Sequence, residues 1–353
     1  MHYVPGALHM HTTYSDGSGS VEDLARSARA AGLGWIIVTD HDTLAGQPYE
    51  GWLDGVLVIV DHEITPDRNH FLALDVDEVI DNTLAPQDFV DAVYARGGFG
   101  IIAHPDERVR NDFKDIYRWD DWAVDGPRER AGRPVGIELW NQLSDWGEHL
   151  TQRNKELHFF LPRLGMTGPS RETLAWWDRL NVAGKRTFGV GGVDAHAFKK
   201  RAPWGEVEIF SYTWAFGTLT NYLMLDTPLA ADAATAIRQV YAALGAGRSY
   251  FVNRYDGDCP ALVFHAEHGP SSRSGLRTER SPIGSGPSLR GGPLAIVADA
   301  GRAAELRLVH NGRVVASARR SLRYEVQEPG VYRLEGYRGG RAWLFTNPIY
   351  VME

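Results

Sequence analysis

Gly6-Ala-Leu-His9-Met-His11-Thr-Thr-Tyr-Ser-Asp16-Gly17 is the stretch on which the reading of this chain turns. It closes a short apolar run, Val4 to Leu8, with two histidines separated by one residue. On an extended strand residues i and i+2 share a face, so the two imidazoles are expected side by side. Paired neutral imidazoles suit a divalent cation such as zinc, iron or manganese. Asp16 follows in a Ser-Asp-Gly turn, a carboxylate delivered by a loop. Alone, His-x-His is as much a bland surface or core pair as a ligand pair, and its weight comes from what recurs downstream.

Similar strand ends do recur. Trp35-Ile-Ile-Val-Thr-Asp40-His41-Asp42, Val56-Leu-Val-Ile-Val-Asp61-His62-Glu63, Phe99-Gly-Ile-Ile-Ala-His104-Pro105, Val135-Gly-Ile-Glu138-Leu and Thr187 to Val193-Asp194-Ala-His196 are apolar runs that finish in His, Asp or Glu. Helix-length segments lie between them. Val21 to Ala31 has helical apolar spacing, with Ser20 as N-cap and Gly32 at its end. Asp88 to Arg96 and Ala231 to Gly247 are amphipathic, and two helices are expected between Leu143 and Asn181. Strands alternating with helices imply βα units and a largely parallel sheet. In a closed β/α barrel the C-terminal strand ends meet on one face, which would gather His9, His11, His41, Glu63, His104, Asp194 and His196 in one cleft.

With 353 residues the chain has room for one large α/β domain and a small module. A net charge of −8 and the lack of a long basic run argue against stable nucleic-acid binding. Cys259 is the only cysteine, which excludes an intrachain disulfide; beside Pro260 it reads as a small buried hydrophobe rather than a nucleophile. The first strand starts too near Met1 to leave room for a leader, and no apolar stretch reaches the roughly 18 residues that span a bilayer, so a cytoplasmic location is expected.

The composition changes toward the C-terminus. Residues 267–292 are rich in Gly, Ser, Pro and Arg and are expected to form a long flexible loop. Asn311-Gly312 inside an alternating segment signals a type I′ hairpin, and Gly339-Gly340 a second one. The expected division is therefore a barrel over 1–255 and an antiparallel β-sandwich over 256–353, packed on it.

Together these motifs carry a family. His9-x-His11, Ser15-Asp16-Gly17, Thr39-Asp40-His41-Asp42, Glu63, His70, Ala103-His104-Pro105 and Asp194-x-His196 resemble, in content and order, the polymerase-and-histidinol-phosphatase (PHP) superfamily. The resemblance spans roughly Gly6 to His196. It implies a distorted (β/α)7, TIM-like barrel and a trinuclear site for divalent Zn, Mn or Fe. Carried over by motif, one metal takes His9, His11, Glu63 and Asp194. A second shares Glu63 and adds His70 and His104; the third takes Asp16, His41 and His196. Asp16 stands where some members have histidine, which makes the third site harder and favours Mn or Fe. The implied activity is that of a phosphoesterase on a small phosphorylated molecule, with a metal-bridging hydroxide as nucleophile and Asp16, His41, Glu63 and His196 at the reacting centre. The same ligands occur in a carbamate- and carboxyl-ester-hydrolysing branch, and accessory modules without activity also exist.

Further residues have two readings each. Arg108 and Arg110 are candidate clamps for phosphate or carboxylate, against an exposed helix face; Arg201 and Lys199 stand in the same balance. Glu138 and Asn141 would contact substrate or the ligand histidines. Asp40 and Asp42 are expected to support their surroundings, with Asp42 or His196 as a conceivable proton donor to the leaving group. Trp119, Trp122, Trp140, Trp146, Trp176, Trp177, Trp204 and Trp214 would wall an aromatic pocket or, more commonly, pack helices. The partner expected is a small-molecule substrate, with no membrane involvement; the oligomeric state is not legible from the residues.

Overall fold

A computed structural model describes the chain except for residues 108–109, 114–116, 120–123, 125, 129–132, 203–204 and 270–279. The first half builds β1 (His2–Leu8), β2 (Trp35–His41), β3 (Gly51–Leu53), β4 (Val56–Ile64), β5 (Phe71–Leu74), β6 (Phe99–Ile102), β7 (Gly136–Asn141) and β8 (Phe188–Gly192). Helix α1 (Val21–Ala30) starts as the sequence suggests. The Ser20 side chain accepts from the Asp23 N–H, Asp23 answers to the Ser20 N–H, and Val21, Leu24, Ala25 and Ala28 are buried. Helix α2 (Pro86–Ala95) follows β5. Between β7 and β8 the chain forms three helices rather than two, α3 (Gln142–Glu148), α4 (Lys155–Phe160) and α5 (Arg171–Val182).

β1, β2 and β4 run parallel, as do β6, β7 and β8, but β5 is antiparallel to both of its neighbours. The expectation of a parallel arrangement fails at this strand for a simple reason. Residues 65–70 alone join β4 to β5, while a parallel crossover needs about a dozen residues or more. The reversal has a use: His70, at the start of β5, comes to the end of the sheet where the other strands finish. The last strand of this set is tied to the first by the Val193 N–H to the Leu8 carbonyl (3.1 Å), the His11 N–H to the Ala195 carbonyl (3.0 Å) and a parallel bridge between Met10 and Ala195.

A separate hairpin, β9 (Phe198–Ala202) and β10 (Gly205–Ile209), precedes α6 (Tyr212–Phe216). Then β11 (Leu219–Leu225), α7 (Ala233–Gly245) and β12 (Ser249–Asn253) extend the main sheet, β11 antiparallel to β1 and β12 antiparallel to β11.

The C-terminal region consists of β13 (Val263–His268), β14 (Arg280–Pro282), β15 (Leu294–Asp299), β16 (Glu305–His310), β17 (Arg313–Arg319), β18 (Ser321–Glu325), β19 (Gly330–Arg338), β20 (Arg341–Thr346) and β21 (Ile349–Val351). Both hairpin readings are realised. Asn311 and Gly312 have φ of 49° and 80° between paired His310 and Arg313, and Gly339 and Gly340 have 56° and 79° between Arg338 and Arg341. The loop expected over 267–292 is partly strand: β13 reaches His268, β14 pairs with it, and Ile283 is buried.

The β-rich region is α/β only by attachment. β20 pairs with β12, so one layer of it continues the main sheet, while β13, β14, β15 and β18 form a second, four-stranded layer. Phe264, Ile296, Leu306, Leu334 and Trp343 fill the space between, and Tyr222, Tyr250 and Val252 of β11 and β12 belong to the same core. A buried ion pair adds a second tie: the Arg333 guanidinium of β19 donates to both carboxylate oxygens of Asp178 on α5, at 2.7 and 2.8 Å. Cys259 is buried, as read. No helix among the described residues is long and apolar enough to cross a membrane.

Candidate metal centre

The residues singled out by their strand ends converge, though not by simple strand alternation. β1 stops at Leu8, and His9 adopts φ 66°. Asp194, just past β8, adopts φ 50°, and His104, just past β6, φ 24°. Left-handed backbone at non-glycine residues is costly and is kept where a site demands it. The Met10–Ala195 bridge lays His9-Met10-His11 beside Asp194-Ala195-His196. Their middle side chains are buried and their flanking side chains meet on one side.

The distances there are informative. His9 Nε2 lies 3.3 Å from Glu63 Oε2 and 3.4 Å from Asp194 Oδ1; His11 Nε2 lies 3.5 and 3.2 Å from the same atoms. These are long for hydrogen bonds, which cluster at about 2.7–3.2 Å. They match the edge of a tetrahedron whose metal–ligand bonds are about 2.0–2.1 Å, roughly 3.3–3.4 Å. His9 Nε2, His11 Nε2 and Glu63 Oε2 are buried and have no hydrogen-bond partner. Three stranded polar atoms around one point would cost several kcal/mol, on the order of 1–3 each. A shared divalent cation removes that cost, so the donor set fits a metal.

Glu63 divides the cluster. Its Oε1 faces His70 Nδ1 (3.0 Å) and His104 Nε2 (3.4 Å), while Oε2 faces His9, His11 and His41 Nδ1 (3.0 Å). Farther out, Asp16 Oδ1 lies 3.1 Å from His196 Nε2 and 3.4 Å from His41 Nε2. Three groups of donor atoms lie within 4.8 Å of one another: His11, Asp16, His41 and His196; His9, Glu63 and His104; and His9, His11 and Asp194. His70 is in none of them, although it touches Glu63. Its Nε2 meets the Pro66 carbonyl at 3.0 Å. A carbonyl only accepts, so Nε2 carries a hydrogen and Nδ1 is the nitrogen turned toward Glu63. The Asp194 carbonyl, 2.9 Å from His196 Nδ1, fixes that ring in the same manner with Nε2 toward Asp16.

Two glycines make this packing feasible. A side chain at Gly17 would strike the His11 carbonyl at 2.1 Å, so only glycine lets the Asp16 loop fold back. One at Gly192 would fall 1.5 Å from Glu138 Oε1. Glu138 takes the second of the two readings given to it, contact with the histidines. Fully buried, it holds His9 Nδ1 at 2.8 Å and accepts from the His104 N–H (2.8 Å) and Asn141 Nδ2 (3.0 Å). Glu138 and Asn141 therefore brace the histidines and do not line the cavity. Asp40 accepts from Thr12 N–H, Thr12 Oγ1 and Ser15 Oγ and so shapes the Asp16 loop. Asp42 accepts from the Thr65 N–H and from Asn82 Nδ2.

Burial works against charge on His9, His11, His41, His104 and His196. Asp194, Glu138 and Glu63 nevertheless hold His9 well above the ordinary histidine range. Against its burial, His104 is pushed up to about 9 by Glu63, Glu107 and Asp194. His11 goes the other way: burial and the neighbouring His196 push it down to about 3. Burial raises Glu63 and Asp194 less than their histidines depress them, and both sit well below the usual carboxylate range.

The cluster opens into a cavity of about 620 Å³. Asp16, His41, Glu63, His70, His104, Asp194 and His196 reach it from below, and Phe113, Tyr117, Leu143, Trp146, Leu150, Phe198 and Ile209 wall it. Arg110 and Arg201 do not line it; on that strand Lys200 does, because Arg201 points to the other face of β9 opposite Glu206. Arg108, Trp122 and Trp204 lie outside the described residues. Trp119, Trp140, Trp176 and Trp177 are buried in the core, and Trp214 stacks on Phe210 at 4.2 Å; Trp146 alone of the described tryptophans named above walls the cavity. Sequence reasoning passed over Glu107, 3.3 Å from His104 Nδ1 and held by Ser144 Oγ (2.9 Å), although it stands three residues after His104. It also passed over Tyr212, whose hydroxyl donates to the His11 carbonyl (2.9 Å) and which no local pattern marks.

Residues 7–97 match the PHP domain family model. The chain carries a PHP domain. An uncharacterized protein of Methanocaldococcus jannaschii is 30% identical over 113 residues, 28% of this chain. The chain spans 66% of that relative's length. Among solved structures, a two-domain protein from Bacteroides vulgatus, described as containing a predicted PHP-like metal-dependent phosphoesterase, aligns with a TM-score of 0.42 and 15% identity, over 98% of this chain and 95% of that one. An amidohydrolase from Chromobacterium violaceum aligns with a TM-score of 0.31 and 14% identity, over 54% of this chain and 87% of its own. The family match covers His9, His11, Asp16, His41, Glu63 and His70; His104, Asp194 and His196, beyond it, join the PHP domain's cluster through space.

Proposed function

We propose that this PHP domain is a metal-dependent hydrolase, and specifically a phosphoesterase acting on a small molecule. The observation that carries the reading is the trio of buried, unpartnered atoms, His9 Nε2, His11 Nε2 and Glu63 Oε2, at ligand spacing with Asp194. We read the seven strands β1, β2 and β4 to β8 as a distorted (β/α)7 barrel, supported by the hydrogen bonds that tie β8 to β1. His9, His11, Glu63 and Asp194 would hold one metal. Glu63 with His104 and His70 would hold a second, and Asp16, His41 and His196 a third. Bound there, such metals supply positive charge for a phosphoryl oxygen and acidify water.

The chain's own residues do the remaining work. Glu63 directs one carboxylate oxygen to each side of the cluster, so a single buried side chain serves two ion positions. Glu138 holds the far nitrogen of His9 and fixes which nitrogen faces inward, and Glu107 stands as a counter-charge 3.3 Å from that of His104. Asp16 and His41 are the more exposed members and form the rim that an incoming ester meets. Phe113, Tyr117, Trp146 and Phe198 line the same cavity beside them.

The test joins metal analysis to hydrolysis on one sample, with aryl phosphate, aryl phosphodiester and aryl carboxyl ester as substrates. Close to three metals per chain, with phosphate hydrolysis lost on chelation and in His9→Ala, is the expected result. Bound metal with no turnover of any ester would overturn the hydrolase reading and leave an accessory module. A second reading, carboxyl or carbamate ester hydrolysis, is favoured by the apolar wall, and preference for the carboxyl ester would establish it.

A further inference from the structure

The β9–β10 hairpin has two unlike faces. In its antiparallel register Phe198 stands opposite Ile209 and Lys200 opposite Val207, whereas Lys199 stands opposite Glu208 and Arg201 opposite Glu206. Directly opposed residues share a face. One face is therefore made of acid–base pairs, with Lys199 Nζ 3.9 Å from Glu206 Oε1. The other is apolar apart from a single ammonium, and Phe198, Lys200 and Ile209 on it line the cavity. Among the described residues no carboxylate pairs with Lys200, and it is the only Lys or Arg of the lining. An unpaired cation over an apolar wall, beside a metal-type cluster, is placed to meet charge brought in by a ligand.

Aromatic rings lie against both ends of that cluster. Phe198 stacks on His196 with centroids 4.5 Å apart and planes 17° apart, and Tyr117 leans over His70 at 5.3 Å. Trp146 and Leu150 line the same cavity. The same lining also includes the polar Thr65, Glu107, Asp112 and Ser144. Against the rings themselves, a hydroxyl-rich leaving group would leave its polar atoms unpaired, while a flat apolar one gains by burial.

We propose that Lys200 and the apolar face around it determine substrate choice, selecting a phosphate ester whose leaving group is flat and apolar, with the ammonium pairing with the phosphoryl oxygens. This rests on the phosphoesterase reading above. Lys200 acts here as a specificity-determining residue, and the rings as the leaving-group pocket.

Calorimetry on the metal-loaded full chain tests it with two non-hydrolysable probes, benzylphosphonate and (2-hydroxyethyl)phosphonate. The benzyl compound is expected to bind roughly tenfold or more tightly than the hydroxyethyl one. Lys200→Ala, on an exposed hairpin position, should weaken both roughly tenfold and keep their ratio and the metal content, while Lys200→Arg restores both. Phe198→Ala should bring the ratio toward one. With phenyl phosphate as substrate, Lys200→Ala should raise KM and leave kcat within about twofold. Equal binding of the two phosphonates, or a Lys200→Ala protein that binds them as the wild type does, overturns the inference. Turnover of phosphate esters without ring preference removes this inference alone; absence of any phosphate ester turnover removes the reading beneath it.

Discussion

Two cores lie side by side in this chain and follow opposite rules. The one between the C-terminal layers is made of Phe264, Leu306, Leu334, Trp343 and their neighbours, apolar groups that need nothing beyond each other. The cluster at the strand ends packs His9, His11, Glu63, His104, Glu138 and Asp194 with equal burial but leaves several of their atoms unpartnered. Burial of that second kind is stabilising only when something else completes it. The first region keeps the fold; the second uses stability that the fold supplies.

The sharpest break in this comparison comes from Glu63→Ala. Removing the carboxylate that both sides of the cluster share should reduce bound metal and abolish hydrolysis, and should also lower the melting temperature of the metal-free protein, because His9 and His104 lose the counter-charge they face. Metal analysis and calorimetric melting of the same preparation check both. Next, Trp343→Ala should cost about 3–5 kcal/mol of stability, as large buried aromatics do, with turnover per folded molecule unchanged. Denaturant titration beside an activity assay checks that split, and a loss of activity equal to the loss of stability would show that the two regions are not separable.

Smaller effects sharpen the contrast. Glu138→Gln keeps the shape but weakens the hold on His9, and should lower metal affinity about 10–100-fold without unfolding the protein. The sign of the pH effect follows from His104, whose metal-free ring is pushed up to about 9. A ligand ring must be neutral, so metal uptake at neutral pH expels this proton, and apparent affinity climbs as pH rises toward 9. His11, pushed down to about 3, is already neutral and contributes nothing to that release. Calorimetry in two buffers of different ionisation enthalpy reads the protons released; an affinity flat from pH 7 to 9 would contradict the argument.

Most of the ligand cluster was legible because its members stand at the ends of apolar runs, where residue type and position are both visible. The reason offered for His9 and His11 was incomplete: the strand ends one residue early, and a left-handed His9 beside the Met10–Ala195 bridge brings them together. The bracing residues were hidden by distance along the chain. Nothing near Glu138 says that its partner is His9, 129 positions away. Lys199, Lys200 and Arg201 read alike in sequence, and only the register of β9 with β10 tells which one faces the cavity. The sheet that continues through β12 into β20 was hidden for the same reason, since a strand's edge partner is not written in its own residues.

The bridge between Met10 and Ala195 also sets a timetable. His11 and His196 are about 185 residues apart in the chain. At ribosomal speeds of about 5–20 residues per second, roughly ten to forty seconds pass between the synthesis of one and of the other. Throughout that interval the nascent chain holds His9 and His11 without Asp194, and Asp16 and His41 without His196. Under the proposed assignment, the two metal positions that need Asp194 or His196 would be complete only once the strand that precedes them docks on the first strand.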